Sequence, residues 1–274
     1  MASLTQQFEA GEVAEGRLSA EHLVGAVVGL EGRVTEEHGH LLHLPLSSEQ
    51  EARLGAMALC RLAAMPVQYL VGRWHFHMIS LDLRPPVFIP RQETEQLVEE
   101  VLARLPAHSP RLLEVGPGSG AVSLALLAAR PDLTVTAVER SSAAVELTRH
   151  NAERLGLQDR LTVIHCRVEQ VQLEGGFDAV VSNPPYVLRK DLAALAPEIH
   201  VYEDLRALDG GKEGLDVILP IVELAGEVLE EGGFLALEVD PCHPLLLPPR
   251  VEGWGAEVIK DIHERDRFMV LRPK

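Results

Sequence analysis

A doubly wound α/β domain with a mostly parallel sheet, preceded by a small helical domain, is the fold the sequence predicts. Three observations predict it. Between Arg111 and Val239, strand-like apolar runs alternate with helical stretches, the pattern of parallel strands joined by covering helices. The first of these strands runs into Gly116-Pro117-Gly118-Ser119-Gly120, a small-residue turn that opens a helix. Residues 1–74 lack the alternation and carry apolar residues at helical spacing instead.

The elements follow in order. Ser19 is placed as the N-cap of a helix over Ala20–Leu30, whose Leu23, Val24, Val27 and Val28 share a face. Ser47 and Ser48 precede a second helix to Met65, with Leu54, Met57, Ala58, Leu62 and Met65 near helical spacing, and Pro66 stops it. In residues 75–90, Phe76, Met78 and the alternation Ile79, Leu81, Leu83 predict a β-hairpin or an extended linker, and Pro85, Pro86 and Pro90 exclude a helix. Glu93–Leu105 is amphipathic through Leu97, Val98, Val101, Leu102 and Leu105. Strands are predicted at Leu112–Val115, Thr134–Val138, Leu161–His165, Phe177–Ser182 and Phe234–Val239, with helices at Ala121–Arg130, Ser142–Leu155 and Leu215–Glu230. Ala256–Lys260 and Arg267–Leu271 alternate with no helix between them, which predicts a closing antiparallel hairpin. The division is a helical domain over 1–74, a β-hairpin linker over 75–90 and an α/β domain over 91–274.

Composition narrows the class. The 274 residues are 46% hydrophobic and 24% charged, a globular balance that excludes a disordered or collagenous chain. A formal charge of −16 argues against holding nucleic acid by neutralising phosphates. No apolar run approaches the roughly 18 residues of a membrane span. Cys60, Cys166 and Cys242 are far apart and odd in number, so neither a disulfide framework nor a zinc site is expected. Met1–Gly16 contains no Arg or Lys and, as written, reads as neither a secretory signal nor an organelle presequence.

Two features carry chemistry. The glycine turn lets a ligand approach the backbone at a helix N-terminus with free N–H groups. The next strand ends in Glu139, where a carboxylate can accept both hydroxyls of a ribose. The strand Phe177–Ser182 runs into Asn183-Pro184-Pro185-Tyr186. Its two prolines fix φ and contribute no N–H donors, so the turn offers carbonyl acceptors, the Asn183 side-chain oxygen and the flat wall of Tyr186. That suits a planar group bearing an NH₂. An amide nitrogen is a poor nucleophile, but acceptors on both its N–H bonds favour its pyramidalisation toward an electrophile held in line.

Together these residues resemble a class I S-adenosylmethionine methyltransferase of the amino-methylating group. Met65–Gly72, Phe88-Ile-Pro-Arg-Gln-Glu-Thr-Glu95, Leu195–Ile199, Tyr202-Glu-Asp204, Ala207–Gly211 and Leu237-Glu-Val-Asp-Pro241 are similar to the HemK/PrmC family, the glutamine methyltransferases of class-1 peptide-chain release factors, and most to its mitochondrial branch. The resemblance covers roughly residues 60–274. It implies a Rossmann-like, seven-stranded fold, S-adenosyl-L-methionine as cofactor with S-adenosyl-L-homocysteine as product, and a release factor as partner, without direct nucleic-acid or membrane contact. It further implies a monomer, located in the mitochondrion, or in the cytoplasm for a bacterial member.

Carried over residue by residue, the resemblance implies that Gly116, Pro117, Gly118, Ser119 and Gly120 line the methionine end of the cofactor. Glu139 would hold its ribose and the Val168 backbone its adenine edge, and Asn183 would also contact the cofactor. Asn183 and the Pro184 carbonyl would receive the glutamine N–H groups, with Pro185 and Tyr186 shaping the slot; Asn183, Pro184 and Tyr186 form the catalytic set. Ile89–Glu95 would close over the cofactor, and the helical domain would dock the substrate. Two positions depart from the family: Gln92 stands where Pro is usual, and Arg167 where an acid commonly meets the adenine amine.

Other groups are set aside. His75 and His77 would share a strand face, but no carboxylate or Cys stands at ligand spacing, so they read as surface residues and no metal is expected. Cys166 reads as a small buried apolar residue. Asp240-Pro-Cys-His243 is too tight a turn to align a triad. Glu227, Glu230 and Glu231 read as a solvated helix face. The alternatives carried alongside are an N6-adenine DNA methyltransferase, which uses the same tetrapeptide on a flipped base, and a non-catalytic scaffold that binds release factors.

Overall fold

Hydrophobic residues at helical spacing gather the N-terminal segment into a core of its own. The computed structural model describes residues 2–35, 37–38 and 45–274; positions 1, 36 and 39–44, which the reading above includes in the helical domain, lie outside the described residues. Four helices, α1 (Ala2–Ala10), α2 (Gly16–Val28), α3 (Ser48–Leu62) and α4 (Val67–Val71), bury Leu4, Phe8, Leu23, Val24, Val27, Met57 and Ala58 together. Ser47 caps α3, which ends at Leu62, short of the expected Met65: it accepts from the Gln50 N–H while the Gln50 side chain accepts from the Ser47 N–H, a reciprocal capping box.

Ser19 is not an N-cap. The helix starts earlier because Gly16 lets α2 press onto α1, where an added Cβ would lie 2.9 Å from the Phe8 Cβ. Ser19 is then buried inside α2 and accepts from Arg61 Nε at 3.0 Å. Arg61 is itself only 3% exposed. It also donates to the carbonyls of Met65 and Ala14 and to Glu198 Oε1 at 2.6 Å, the saturation a buried guanidinium requires.

The hairpin forms earlier than expected, as β1 (Arg73–Phe76) and β2 (Ile79–Asp82). Phe76, Ile79, Leu81 and Leu83 enter the same core as α5 (Thr94–Leu102) and α6 (Ala121–Ala129), so the hairpin is packed onto the α/β layer. Met78 sits in the turn and is exposed. His77 is in that turn too, with φ +53°. It contacts Glu99 Oε1 at 2.5 Å and its side chain is mostly covered, so it is neither a strand partner of His75 nor a surface residue.

Seven strands form the main sheet: β3 (Arg111–Val115), β4 (Thr134–Glu139), β5 (Leu161–His165), β6 (Phe177–Ser182), β7 (Leu229–Glu238), β8 (Trp254–Lys260) and β9 (Asp266–Pro273), in the order β5-β4-β3-β6-β7-β9-β8. All neighbours are parallel except β9, which runs antiparallel to β7 and β8; the predicted closing hairpin is there. Leu112, Val135, Ala179 and Phe234 face α5 and α6. Leu113, Val180 and Leu235 face α9 (Ile218–Val228), so the sheet is covered on both faces. Two shorter helices, α8 (Pro197–Tyr202) and α10 (His243–Leu246), and a longer one, α7 (Ser142–Leu155), complete the chain. Because β7 begins at Leu229, Glu230 and Glu231 are exposed strand residues rather than part of a helix face.

Candidate active site

From β3 the sheet grows outward to β4 and β5, and the chain then returns to β6 on the opposite side of β3. Loops leaving β3 and β6 therefore diverge at the carboxyl ends of the strands and leave a crevice. A cavity of about 280 Å³ fills it.

Gly116, Pro117, Gly118 and Ser119 line one side of this cavity. Gly116 and Gly118 have φ of +76° and +61°, with open space where a side chain would be, so their backbone is accessible. Gly120 is different. It caps α6 at φ +86°, an added Cβ would lie 2.8 Å from Leu124 Cδ1, and it sits behind the lining. The loop is anchored from outside: Thr148 donates to the Gly118 carbonyl at 2.9 Å, and Asn151 donates to the Ser119 carbonyl at 3.0 Å. Asn151 also exchanges both of its amide bonds with the Asp82 backbone, which ties the loop to the hairpin.

Glu139 is buried at the end of β4 and lines the cavity. Its carboxylate accepts from the Ser141 N–H at 2.8 Å and the Gly118 N–H at 3.3 Å. Burial raises its pKa, and these backbone donors oppose the rise. Below the loop, the buried Glu114 of β3 also lines the cavity and accepts from both the N–H and the hydroxyl of Ser123. Burial pushes its pKa up to about 7, against those two bonds. Val168 lines the cavity beyond β5, as does the half-buried Cys166. Arg167 points outward and pairs with Glu169 at 3.1 Å; neither lines the cavity.

Across the crevice, Asn183, Pro184, Pro185 and Tyr186 all line the cavity. Neither the Asn183 nor the Pro184 carbonyl accepts a hydrogen bond from the described residues. Asn183 Nδ2 donates to Thr94 Oγ1 at 3.0 Å, and that hydroxyl donates to Glu238 Oε2 at 2.7 Å. Tyr186 donates to Glu238 Oε1 at 3.0 Å. Burial pushes the Tyr186 phenol up, reinforced by the Glu238 carboxylate, so it stays protonated. Glu238 is also raised by burial, opposed by the bonds from Thr94 and Tyr186.

The third wall comes from the segment after β6. Leu195, Ile199, Asp204, Arg206 and Leu208 line it. The buried Glu203 holds this segment to the linker side, accepting from Arg91 Nη2 at 2.6 Å and the Ile89 N–H at 3.2 Å. Of the stretch Ile89–Glu95, Pro90, Arg91 and Thr94 reach the cavity. His243 is a structural residue: it is fully buried, accepts from the Asp240 N–H and bonds the Glu213 carbonyl. Among the described residues no three His, Cys, Asp or Glu side chains gather as a metal site, and no helix is long and apolar enough to cross a membrane.

Sequence reasoning brought the two principal loops and Glu139 to one place. It missed Glu114 and Glu238, although Glu114 interrupts the apolar run of β3 and Glu238 ends the buried half of β7. A carboxylate in such a run is itself a signal, since it is rarely fully buried without a partner.

Comparison with known proteins gives the same reading. A family model described as "Methyltransferase small domain" matches residues 91–201. The chain is 44% identical to the MTRF1L release factor glutamine methyltransferase of Homo sapiens, over 98% of this chain and 85% of that protein. It is 39% identical to the release factor glutamine methyltransferase of Geobacter sulfurreducens, over 83% of this chain and 78% of that protein. Among solved structures, a ribosomal protein L11 methylase from Lactobacillus delbrueckii subsp. bulgaricus aligns with a TM-score of 0.51 at 16% identity, covering 70% of this chain and 84% of that one, a likeness of fold. These relatives do not favour the DNA-methylating or non-catalytic alternatives. With a Rossmann-like sheet, a glycine turn beside a buried strand-end carboxylate and a donor-poor turn opposite, the chain belongs to the release factor glutamine methyltransferases.

Proposed function

We propose that this chain transfers a methyl group from S-adenosyl-L-methionine to the side-chain amide nitrogen (N5) of the glutamine in the Gly-Gly-Gln tip of a class-1 peptide-chain release factor, and so tunes translation termination. The observation that carries the reading is the sharing of one cavity by the glycine turn with Glu139 and by the acceptor-only turn at Asn183. The residues fit the cofactor: Gly116 and Gly118 leave open space beside their backbone, and Glu139 presents a carboxylate where a ribose would lie. When bound, the cofactor supplies a methyl group on a sulfonium, and S-adenosyl-L-homocysteine is the product.

The protein's own residues do the positioning. The backbone of Gly116–Ser119 takes the methionine end, with Gly120 holding the turn from behind, and Val168 edges the adenine. Asn183 Oδ1 and the Pro184 carbonyl accept the two N–H bonds of the glutamine amide. Pro185 and Tyr186 confine its plane. Holding both N–H bonds fixes the orientation of the amide and favours pyramidalisation of its nitrogen toward the electrophile, so most of the acceleration comes from orientation. On accepting the methyl group the substrate nitrogen would release one proton to water, which would restore a neutral amide.

The helical domain docks the factor. Its Arg61 is bonded to Glu198 of α8, the helix whose Ile199 lines the cavity. Both halves of the cavity come from one chain, which supports action as a monomer. The mitochondrial location rests on the resemblance of its motifs to the mitochondrial branch of the family; a bacterial member would act in the cytoplasm. The test is mass spectrometry of a Gly-Gly-Gln-bearing factor after incubation with enzyme and cofactor. One added methyl on that glutamine is expected; an unmodified factor, or methylated adenine in added DNA, would overturn the reading.

A further inference from the structure

Asn183 has a carboxamide whose two ends look alike in shape and opposite in chemistry. Its oxygen can receive an amide N–H; its nitrogen would repel one. A turn that is to accept both hydrogens of a substrate amide therefore needs the oxygen facing the cavity. Nothing in the tetrapeptide itself enforces that choice.

The enforcing groups lie on other elements. Thr94, at the start of α5, places its hydroxyl between Asn183 Nδ2 and Glu238 Oε2, at 3.0 and 2.7 Å. A threonine hydroxyl has one hydrogen. Glu238, near the end of β7, accepts that hydrogen with one oxygen and the Tyr186 phenol hydrogen with the other. With its single hydrogen committed, Thr94 can only accept from Asn183. The amide must then present its NH₂ to Thr94 and turn Oδ1 toward the cavity. Glu238 is 2% exposed and lies outside the cavity lining, so it does not touch a substrate. The same carboxylate fixes the Tyr186 ring at the mouth of the slot.

We infer that Thr94 and Glu238 are positioning residues that set the polarity of the Asn183 amide and hold Tyr186, and thereby determine that the slot receives an NH₂ group. The inference rests on the reading of the Asn183 turn as the amide slot. A glutamine at position 238 has an NH₂ of its own to give. It can donate to Thr94, whose hydrogen then turns to Asn183 Oδ1, and the Asn183 amide inverts to point its NH₂ into the cavity.

The experiment compares Thr94→Val, Thr94→Ser and Glu238→Gln in the full-length protein. Turnover on a Gly-Gly-Gln-bearing release factor is measured together with calorimetric affinity for S-adenosyl-L-methionine and the melting temperature. Thr94→Val and Glu238→Gln are expected to lower kcat at least about 30-fold, the size of a lost orienting contact, with cofactor Kd within about threefold. Thr94→Ser, which keeps the hydroxyl, should restore most of the rate. Equal losses in Thr94→Val and Thr94→Ser, near-normal kcat in Glu238→Gln, or cofactor affinity falling in step with kcat would each overturn the polarity lock. If Thr94→Val does not fold, Thr94→Ser and Glu238→Gln decide. An Asn183→Ala variant runs beside them. Its inactivity alongside unaffected Thr94 and Glu238 variants would sink this inference alone, whereas near-normal turnover in Asn183→Ala would sink the amide slot itself.

Discussion

Two turns face each other at the carboxyl edge of the sheet, one after β3 and one after β6, and they are chemical opposites. The turn after β3 is glycine-rich. Its glycines take left-handed φ values, its backbone at Gly116 and Gly118 is open to the cavity, and its Gly118 N–H is given to Glu139. The turn after β6 has two prolines, so it has lost donors, and its carbonyls at Asn183 and Pro184 accept nothing from the described residues. One turn obtains chemistry from backbone freedom and the other from backbone restriction. On the proposed function each substrate would have its own turn, with the sheet setting the distance between the two.

The largest expected effect tests the acceptor side alone. Asn183→Ala should lower kcat by about 10²–10³-fold, on the scale of removing one preorganised polar group, while calorimetry shows cofactor binding little changed. If cofactor binding is lost as well, the two turns are not separable and the comparison breaks.

The matching test on the glycine-turn side is Glu139→Ala. It should weaken cofactor binding by about 1.5–3 kcal/mol for lost charge-assisted hydrogen bonds, with saturating cofactor recovering most of the turnover. An unchanged calorimetric affinity would move the ribose elsewhere.

A third prediction concerns the carboxylate under the glycine turn. Burial raises the folded pKa of Glu114 to about 7, from an ordinary value of 4.5. The folded state therefore holds a proton there that the unfolded chain has released, and stability present below pH 4.5 is lost as pH rises toward 7. Glu114→Gln, which keeps an acceptor oxygen for Ser123, should melt like the parent at pH 4.5 and be more stable at pH 8 by about 3 kcal/mol. Parallel melting curves across that range would show that Glu114 titrates normally.

The smallest effect separates the three glycines of the turn. Gly120→Ala combines a left-handed residue with a close approach to Leu124, and should cost about 1–2 kcal/mol of stability. Because Gly120 lies behind the lining, cofactor affinity in the folded fraction should hold. A selective loss of affinity without a change in melting would put Gly120 in the site with Gly116 and Gly118.

How much of this was legible in the sequence differs between regions for physical reasons. Strand runs such as Leu161–His165 and Phe177–Ser182, and the helix Ser142–Leu155, have the bounds that periodicity assigns them: the central strand β6 is buried along almost its whole length, whereas the edge strand β5 keeps only Val163 buried and is marked by its β-branched residues. The start of α2 was misplaced because Gly16 against Phe8, a contact between helices, outweighs the local capping preference of Ser19. The face-sharing of His75 and His77 failed because a turn residue at φ +53° leaves the strand alternation.

The sequence by itself determined the order of strands and helices, the glycine turn, the strand-end Glu139 and the donor-poor turn, since each is fixed by residues adjacent in the chain. Only the tertiary structure decided that Thr94 from α5, Asn183 after β6 and Glu238 from β7 meet in one hydrogen-bonded relay, and that Arg61 reaches Glu198. Those partners are far apart in sequence. A hydrogen bond acts over about 3 Å, so nothing short of the folded chain could bring them within its reach.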